Sequence, residues 1–146
     1  MSIHPKKEVV MFKIENKVVA RFRDGRSLKG ITYDFNPNTD IFHITKAGKR
    51  KEVLEVPVSQ LKAVFFVKSF EGSQDYEGKD FTKESLRHIP GLKLKVAFED
   101  GEVIYGTTTG YTPARKAFFL MPADKESNNQ RLYVIRESTS KVETWT

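Results

Sequence analysis

Residues 18–32 read VVARFRDGRSLKGIT and residues 94–108 read LKVAFEDGEVIYGTT, so one stretch occurs twice in the chain. The alignment of residue 18 with residue 94 continues without a gap to residues 44 and 120. It matches the turn and bend residues of the two copies, which are Asp24 and Asp100, Gly25 and Gly101, and Gly30 and Gly106. Such self-similarity indicates an internal duplication. The sequence therefore predicts two halves built on one plan.

Each copy begins with the alternating pattern of a half-buried antiparallel strand. Val18, Ala20 and Phe22 share one face, and Arg21 and Arg23 share the other. The following Asp-Gly pair predicts a hairpin with a primed turn, and a glycine inside the next strand predicts the bend that a small barrel needs. After the strand that begins at residue 18, we expect strands at 27–35, 41–45, 51–58, 63–67, 93–99, 103–111, 117–121, 131–136 and 141–145, with one helical turn at 59–61.

Two segments lie outside this plan. Residues 1–16 fit a short amphipathic helix or a leading strand, and we favour the strand. Residues 71–91 are polar and glycine-containing, which is typical of a linker, and residues 82–87 fit a short helix within it. The expected domains are residues 1–70, the linker 71–91, and residues 92–146.

The repeated pattern V-x-x-x-F-x-D-G-x-x-L-x-G-x-T-x-x-F, at residues 18–35 and again at 94–111, resembles the first motif of the Sm/Lsm family and of bacterial Sm-like RNA chaperones. The whole chain also resembles an uncharacterised bacterial family with two such barrels in tandem. The resemblance implies an all-β protein with two tandem five-stranded Sm-like/SH3-like barrels packed together. It also implies RNA contacts from the loops at 36–40 and 112–116. The Ile-Arg-Gly-like turn of that family is replaced by Leu61-Lys62-Ala63 and by Ile135-Arg136-Glu137.

Charge is concentrated in the first part of the chain. Residues 1–51 hold 12 Lys and Arg against 5 Asp and Glu, whereas the whole 146-residue chain has a formal charge of +6. A basic region fits an anionic partner, either RNA or an acidic protein, although it is equally a solvated charged face. The candidate anion- or RNA-binding residues are Arg21, Arg23, Arg26, Lys29, Tyr33, Lys49, Arg50 and Lys51.

Catalytic and metal-binding patterns are missing from the sequence. The chain has no cysteine, and His4, His43 and His88 have no metal-ligand spacing. Asp24 and Asp100 precede glycine, where aspartate serves the turn. We therefore expect no catalytic residue, no metal and no cofactor. The sequence also shows no long apolar run and no signal peptide, so we expect a cytoplasmic protein that does not enter a membrane.

Corresponding strands of the two halves differ in polarity. Residues 63–67 are apolar on both faces while 142–145 alternate, and residues 117–121 are apolar on both faces while 41–45 alternate. A strand covered on both sides has such a continuous apolar run. The extra apolar surface predicts a contact between the lobes, or alternatively between subunits of a homo-oligomer paired at strand edges as in Sm rings. The candidate interface residues are Val64, Phe65, Phe66, Phe119 and Met121.

Two functions of different classes follow from these patterns. The first is a non-enzymatic binding or assembly module of unknown ligand. The second is an RNA- or nucleotide-binding protein that uses the basic face of the first half.

Overall fold

The computed structural model describes residues 14–71 and 87–145, with the backbone alone for Trp145. The expectations for residues 1–13, for His4 and for most of the linker, including the short helix, lie outside the described residues. The described chain forms ten strands: β1 Asn16–Phe22, β2 Ser27–Thr32, β3 Ile41–Lys46, β4 Val53–Pro57, β5 Leu61–Val67, β6 Leu92–Phe98, β7 Val103–Thr108, β8 Ala117–Pro122, β9 Asn129–Ile135 and β10 Thr139–Trp145. A short 3₁₀ turn precedes β5 at Val58–Gln60, and another precedes β10 at Arg136–Ser138.

All ten strands join one open antiparallel sheet in the order β10-β6-β7-β8-β9-β5-β1-β2-β3-β4. The all-β prediction is confirmed. The finer expectation of two packed barrels stays a prediction, because the described strands are hydrogen-bonded into one sheet. In the chain β5 is followed by β6, but in the sheet β5 lies between β1 and β9. Ala63 lies opposite Val134 of β9, and Phe65 lies opposite Leu132. The two halves are therefore joined by backbone hydrogen bonds.

The two halves have the same strand order. In each, the strand that ends the half lies beside the strand that begins it, and the other three follow. Gly30 lies opposite Val18 and Lys46, and Gly106 lies opposite Leu94 and Pro122. A Cβ atom added at either glycine would lie well under 3.0 Å from a neighbouring backbone oxygen, that of Thr45 or of Met121. Both positions need glycine for close strand approach.

The Asp-Gly hairpins correct one expectation. Gly25 and Gly101 have φ of 95° and 94°, but no other described residue of either turn has a positive φ. A primed turn with two such residues is therefore wrong. Gly25 N donates to Phe22 O at 3.1 Å and Phe22 N donates to Arg26 O at 2.8 Å, which is a type I turn followed by a left-handed glycine. Asp24 Oδ1 accepts from Arg26 N at 3.0 Å and so stabilises the turn.

The second strand ends earlier than expected, at Thr32. Asp34 ends it, because its carboxylate accepts a hydrogen bond from His43 N at 2.9 Å and from the Thr32 hydroxyl at 3.3 Å. The chain then leaves the sheet, and Phe35 packs among aromatic rings of both halves. This departure places the loop at residues 36–40 against the second half.

Strands β5 and β9, which pair where the two halves meet, are called the junction strands. Two hydrophobic cores lie against their opposite faces: the first-half core, which contains Phe42 and Ile44, and the second-half core, which contains Leu94 and Phe118. On β5, Val64 and Phe66 face the first-half core, whereas Ala63, Phe65 and Val67 face the second-half core. On β9, Tyr133 and Ile135 face the first-half core, and Leu132 and Val134 face the second. Strands β5 and β9 thus each contribute side chains to both cores, which explains the apolar runs at residues 63–67 and 132–135. Among the described residues, no helix has the length and hydropathy needed to span a membrane.

Candidate ligand-binding cleft

A cleft of about 840 Å³ opens between the halves. Its floor is apolar and is formed by residues of β8 and β9, namely Ala117, Phe119, Tyr133 and Ile135. These side chains lie there because alternate residues of both strands face the first-half core, and the cleft lies where that core reaches the surface. A volume of this size is within the range of about 300–1,000 Å³ that is typical of ligand sites.

The walls of the cleft are the corresponding loops of the two halves. One wall is the segment Pro37–Asp40 after β2 together with Val58 and Ser59, and the other is Thr108–Gly110 with Arg115 and Lys116 after β7. Within the first wall, the loop is tied to the 3₁₀ turn that directly follows β4, since Val58 N donates to Asp40 O at 2.9 Å. The second is anchored where the buried Thr108 hydroxyl donates to Phe119 O at 2.7 Å. Both walls are therefore built on the sheet.

An aromatic cluster holds the floor in place. The ring of Phe35 contacts Phe66, Phe119 and Tyr133 edge-on, with centroid distances of 5.3, 6.2 and 5.1 Å. Phe119 and Tyr133 lie side by side at 5.0 Å. Edge-to-face pairs of this kind stabilise a core beyond their buried area. The guanidinium of Arg131 lies 4.2 Å from the Phe66 centroid and 4.9 Å from that of Phe119, and burial lowers its pKa.

Charged groups of both signs surround the opening. Arg115 and Lys116 are on one wall, and Asp40 is on the other. Glu137, at the edge of the lining, forms an ion pair of 3.2 Å with Arg23 of the first hairpin. Burial raises the pKa of the Tyr133 hydroxyl, and the positive charge of Arg115 partly opposes this. The described lining thus carries two cations and two carboxylates around an apolar floor.

One family model matches residues 14–146, and its description is a family of unknown function (DUF6982). The chain belongs to this family. No curated protein and no solved structure matches the chain significantly.

In this family member, most of the basic residues singled out from sequence have contacts within the chain. Arg23 pairs with Glu137, and Arg26 pairs with Asp24 at 2.7 Å. Arg21 lies 5.2 Å from the Phe65 centroid, Lys29 donates to Phe70 O at 3.2 Å, and the Tyr33 hydroxyl donates to Glu15 at 3.2 Å. The hairpin tip is different, since no ion-pair partner within the described chain is found for the exposed residues Lys49, Arg50 and Lys51.

The five apolar candidates are placed in three different surroundings. Val64, Phe66 and Phe119 share the first-half core, where Phe66 and Phe119 have a centroid distance of 6.4 Å across the junction. Phe65 lies in the second-half core. Met121 is 49% exposed and belongs to neither core. The structure therefore brings Phe119 to the junction and leaves Met121 at the surface.

Sequence reasoning missed several residues that shape this region. Tyr133 was not singled out, although it forms the cleft floor and its hydroxyl lies 3.5 Å from Pro37 O. Arg115 and Lys116 lie in the loop 112–116 that the resemblance implies, but they were not singled out as candidate residues. Lys62 is 5% exposed and its ammonium binds Asp100 at 2.6 Å and also Glu102. A lysine inside the apolar run 61–67 was the available signal.

His43 and Asp34 form a pair outside the cleft lining, with Nδ1 2.7 Å from Oδ2. Burial alone would raise the pKa of Asp34, but hydrogen bonds from His43 and Thr32 hold it below its ordinary value. The pair fixes the segment that leads into the cleft loop. Across the described ranges, no three His, Asp or Glu side chains converge as ligands for a metal ion.

Proposed function

We propose that this protein is a non-enzymatic binding module whose ligand lies in the cleft between its halves. The observation that carries the proposal is the construction of the cleft, because two corresponding loops are held apart on one sheet above an apolar floor. Pre-formed apolar pockets with a few polar groups at their rim are the usual form of a ligand site. The described histidine-carboxylate pair lies away from the cleft, which favours binding over catalysis.

We further propose that the two halves descend from one duplicated Sm-like unit. Their common strand order and the matching surroundings of Gly30 and Gly106 support this origin. On this reading, the strand pairing of β5 with β9 joins the two units at their edges. The cleft is then a product of the duplication, because each unit supplies one wall.

The proposed function is tested with a library of small aromatic and carboxylic-acid fragments, followed by amide chemical shifts of the intact chain. We expect binding fragments to shift Thr109, Lys116 and Ile135 together. Thr109→Trp should fill the cleft and abolish these shifts, because the exposed Thr109 lines it. The matched control Thr144→Trp changes an exposed threonine on strand β10 and should leave them intact. Shifts that cluster elsewhere, or that survive Thr109→Trp, would contradict the proposal.

RNA binding is the second candidate, and the exposed tip Lys49-Arg50-Lys51 favours it. The loops that the Sm resemblance implies for RNA also line the cleft, since both 37–40 and 115–116 belong to it. Retention on a mixed RNA pool should then weaken steeply between about 50 and 200 mM salt, because phosphate contacts release counterions. Reversing the charges of Lys49, Arg50 and Lys51 should reduce this retention. Retention that is indifferent to salt would rule out phosphate neutralisation.

A further inference from the structure

The charges on the two walls of the cleft do not neutralise one another. Asp40 has no ion pair with Arg115 or Lys116, although all three line the same opening. Within the described part of the chain, neither cation has another carboxylate partner. Unpaired charges of opposite sign thus face a common space from opposite sides. A ligand that fills the space meets a positive wall, a negative wall and an apolar floor.

We propose that the cleft binds a short protein segment, which inserts one large apolar side chain onto the floor and places an acidic side chain against Arg115 and Lys116. This proposal rests on the proposed function and names its ligand class. The apolar side chain contacts Phe119 and Ile135 on the floor. On the opposite wall, the Asp40 carboxylate accepts hydrogen bonds from backbone N–H groups or from a basic side chain of the same segment.

Charge complementarity favours a peptide over a nucleic acid in this cleft. A nucleic acid carries one phosphate per nucleotide, and these negative charges would be repelled by the Asp40 carboxylate in the lining. The described lining has equal numbers of positive and negative side chains, which suits a partner of mixed charge. The apolar floor suits an anchoring side chain, because buried apolar anchors supply most of the affinity in peptide recognition.

The test begins with a display library of random linear peptides, selected on the full chain. We expect the selected peptides to combine a large apolar residue with a nearby Asp or Glu. A synthetic peptide of that consensus should bind the double variant Arg115→Glu, Lys116→Glu about tenfold more weakly, since each rim ion pair contributes a few-fold at most. The matched control Lys49→Glu, Arg50→Glu reverses one lysine and one arginine at the hairpin tip and should bind normally.

A charge swap makes the test specific. Replacing the acidic residue of the peptide by Lys should weaken its binding to the parent chain and restore its binding to the Arg115→Glu, Lys116→Glu variant. Circular dichroism checks that the variants are folded. The proposal is overturned by a consensus without an acidic residue, by the absence of any selected peptide, by binding that survives Thr109→Trp, or by RNA that competes for the cleft. If fragments occupy the cleft but no peptide is selected, the ligand class is wrong and the proposed function stands.

Discussion

Lys62 shows how much the partner of a charge matters at the scale of one residue. Its side chain is 7% exposed and lies over the ring of Phe98 at 4.6 Å, whereas the two carboxylates that bind it, Asp100 and Glu102, are 54% and 41% exposed. The lysine belongs to the first half and the acids to the hairpin of the second. This cluster of three charged residues therefore connects the halves, and its members differ in how far water can reach them.

This difference predicts an asymmetry between substitutions. Lys62→Met should change the free energy of unfolding by less than about 1.5 kcal/mol, because it leaves no buried charge and both acids can be hydrated. Asp100→Asn with Glu102→Gln should cost about 3–5 kcal/mol, because an uncompensated ammonium remains buried. Urea denaturation measures both. Equal losses for the two variants would show that the lysine is hydrated in the folded protein.

The same cluster predicts a dependence on pH. Hydrogen bonds from Lys62 and from Glu102 N lower the pKa of Asp100 below its ordinary value of 3.8. A carboxyl whose pKa is lowered on folding stabilises the protein above its unfolded pKa, and this contribution disappears as the pH falls through the lower folded pKa. Below pH 3.8 the parent chain should therefore lose stability more steeply than Lys62→Met. Urea denaturation of both proteins at several pH values makes the comparison. Identical decreases in the free energy of unfolding below pH 3.8 would contradict the prediction.

The glycines inside the strands and the glycines of the turns should respond differently to substitution by alanine. A Cβ at Gly30 or Gly106 would collide with the backbone of the neighbouring strand, whereas a Cβ at Gly25 meets nothing within 4 Å and only the positive φ is unfavourable. Gly30→Ala and Gly106→Ala should each cost about 3 kcal/mol or more, and Gly25→Ala about 1–2 kcal/mol. The measurement is the urea midpoint. A smaller loss at Gly30 than at Gly25 would exclude the close strand approach.

Sequence reasoning reached some of these residues and not others for a physical reason. The glycines of the turns and bends could be predicted because their demands are local. The position of Lys62 in the apolar run 61–67 is a signal of burial, but its ion-pair partners could not be predicted, because they lie on the hairpin at residues 99–102 of the other half. Position in one strand does not reveal what covers that strand.

At the scale of strands, the inner and outer edges of the halves differ in a systematic way. Register shows that Phe65 on β5 corresponds to Glu143 on β10, because Phe65 lies opposite Val19 and Glu143 opposite Lys95. In the same way Tyr133 and Ile135 on β9 correspond to Glu55 and Pro57 on β4. The two central strands β5 and β9 thus carry apolar residues at positions where the edge strands β10 and β4 carry glutamate or proline. Charges and proline are the usual protection of an exposed edge.

We therefore predict that the chain is monomeric, in contrast to the homo-oligomer considered from sequence. Light scattering coupled to size exclusion measures this directly. Copying the inner residues to the outer edges, with Glu55→Tyr, Pro57→Ile, Lys141→Ala and Glu143→Phe, should cause head-to-tail association, because β4 and β10 then reproduce the pairing of β9 with β5. A parent chain that already associates through β4 and β10 would contradict the prediction.

At this scale, the sequence could predict which strands are apolar on both faces. Apolar runs at 63–67 and 117–121 predicted strands covered on two sides. The cores confirm this for β5, whereas Met121 at the end of β8 is 49% exposed. The pairing partner was not predictable. β9 becomes the neighbour of β5 through a contact between residues far apart in the chain, and periodicity carries no such distance information.

At the scale of the whole molecule, the shared junction strands should make unfolding a single event. Phe65 belongs to the first half by sequence, yet its ring lies in the second-half core. Phe65→Ala should lower the free energy of unfolding by about 3–5 kcal/mol. The urea midpoint of unfolding should fall equally for both halves. Hydrogen exchange of amides in β3 and in β7 follows the two halves separately. Two transitions, or protection lost only in the second half, would show independent domains.

The candidate cleft is a property of this scale, and sequence could not predict it. The loops at 36–40 and at 112–116 were each recognised, but their convergence depends on how β9 docks against β5. Only the arrangement of the complete sheet shows that two separate loops make one site.

The double coverage of β5 has a consequence for synthesis on the ribosome. Strands β1–β5 are complete once residue 67 has emerged, but the core that takes Ala63, Phe65 and Val67 is formed mostly by residues 94–134, and the edge of β5 is paired only when β9 at Asn129–Ile135 is added. At about 5–20 residues per second, the interval between these two strands lasts several seconds. During that time the nascent chain exposes an apolar strand with an unpaired edge, to which chaperones and other nascent chains can bind.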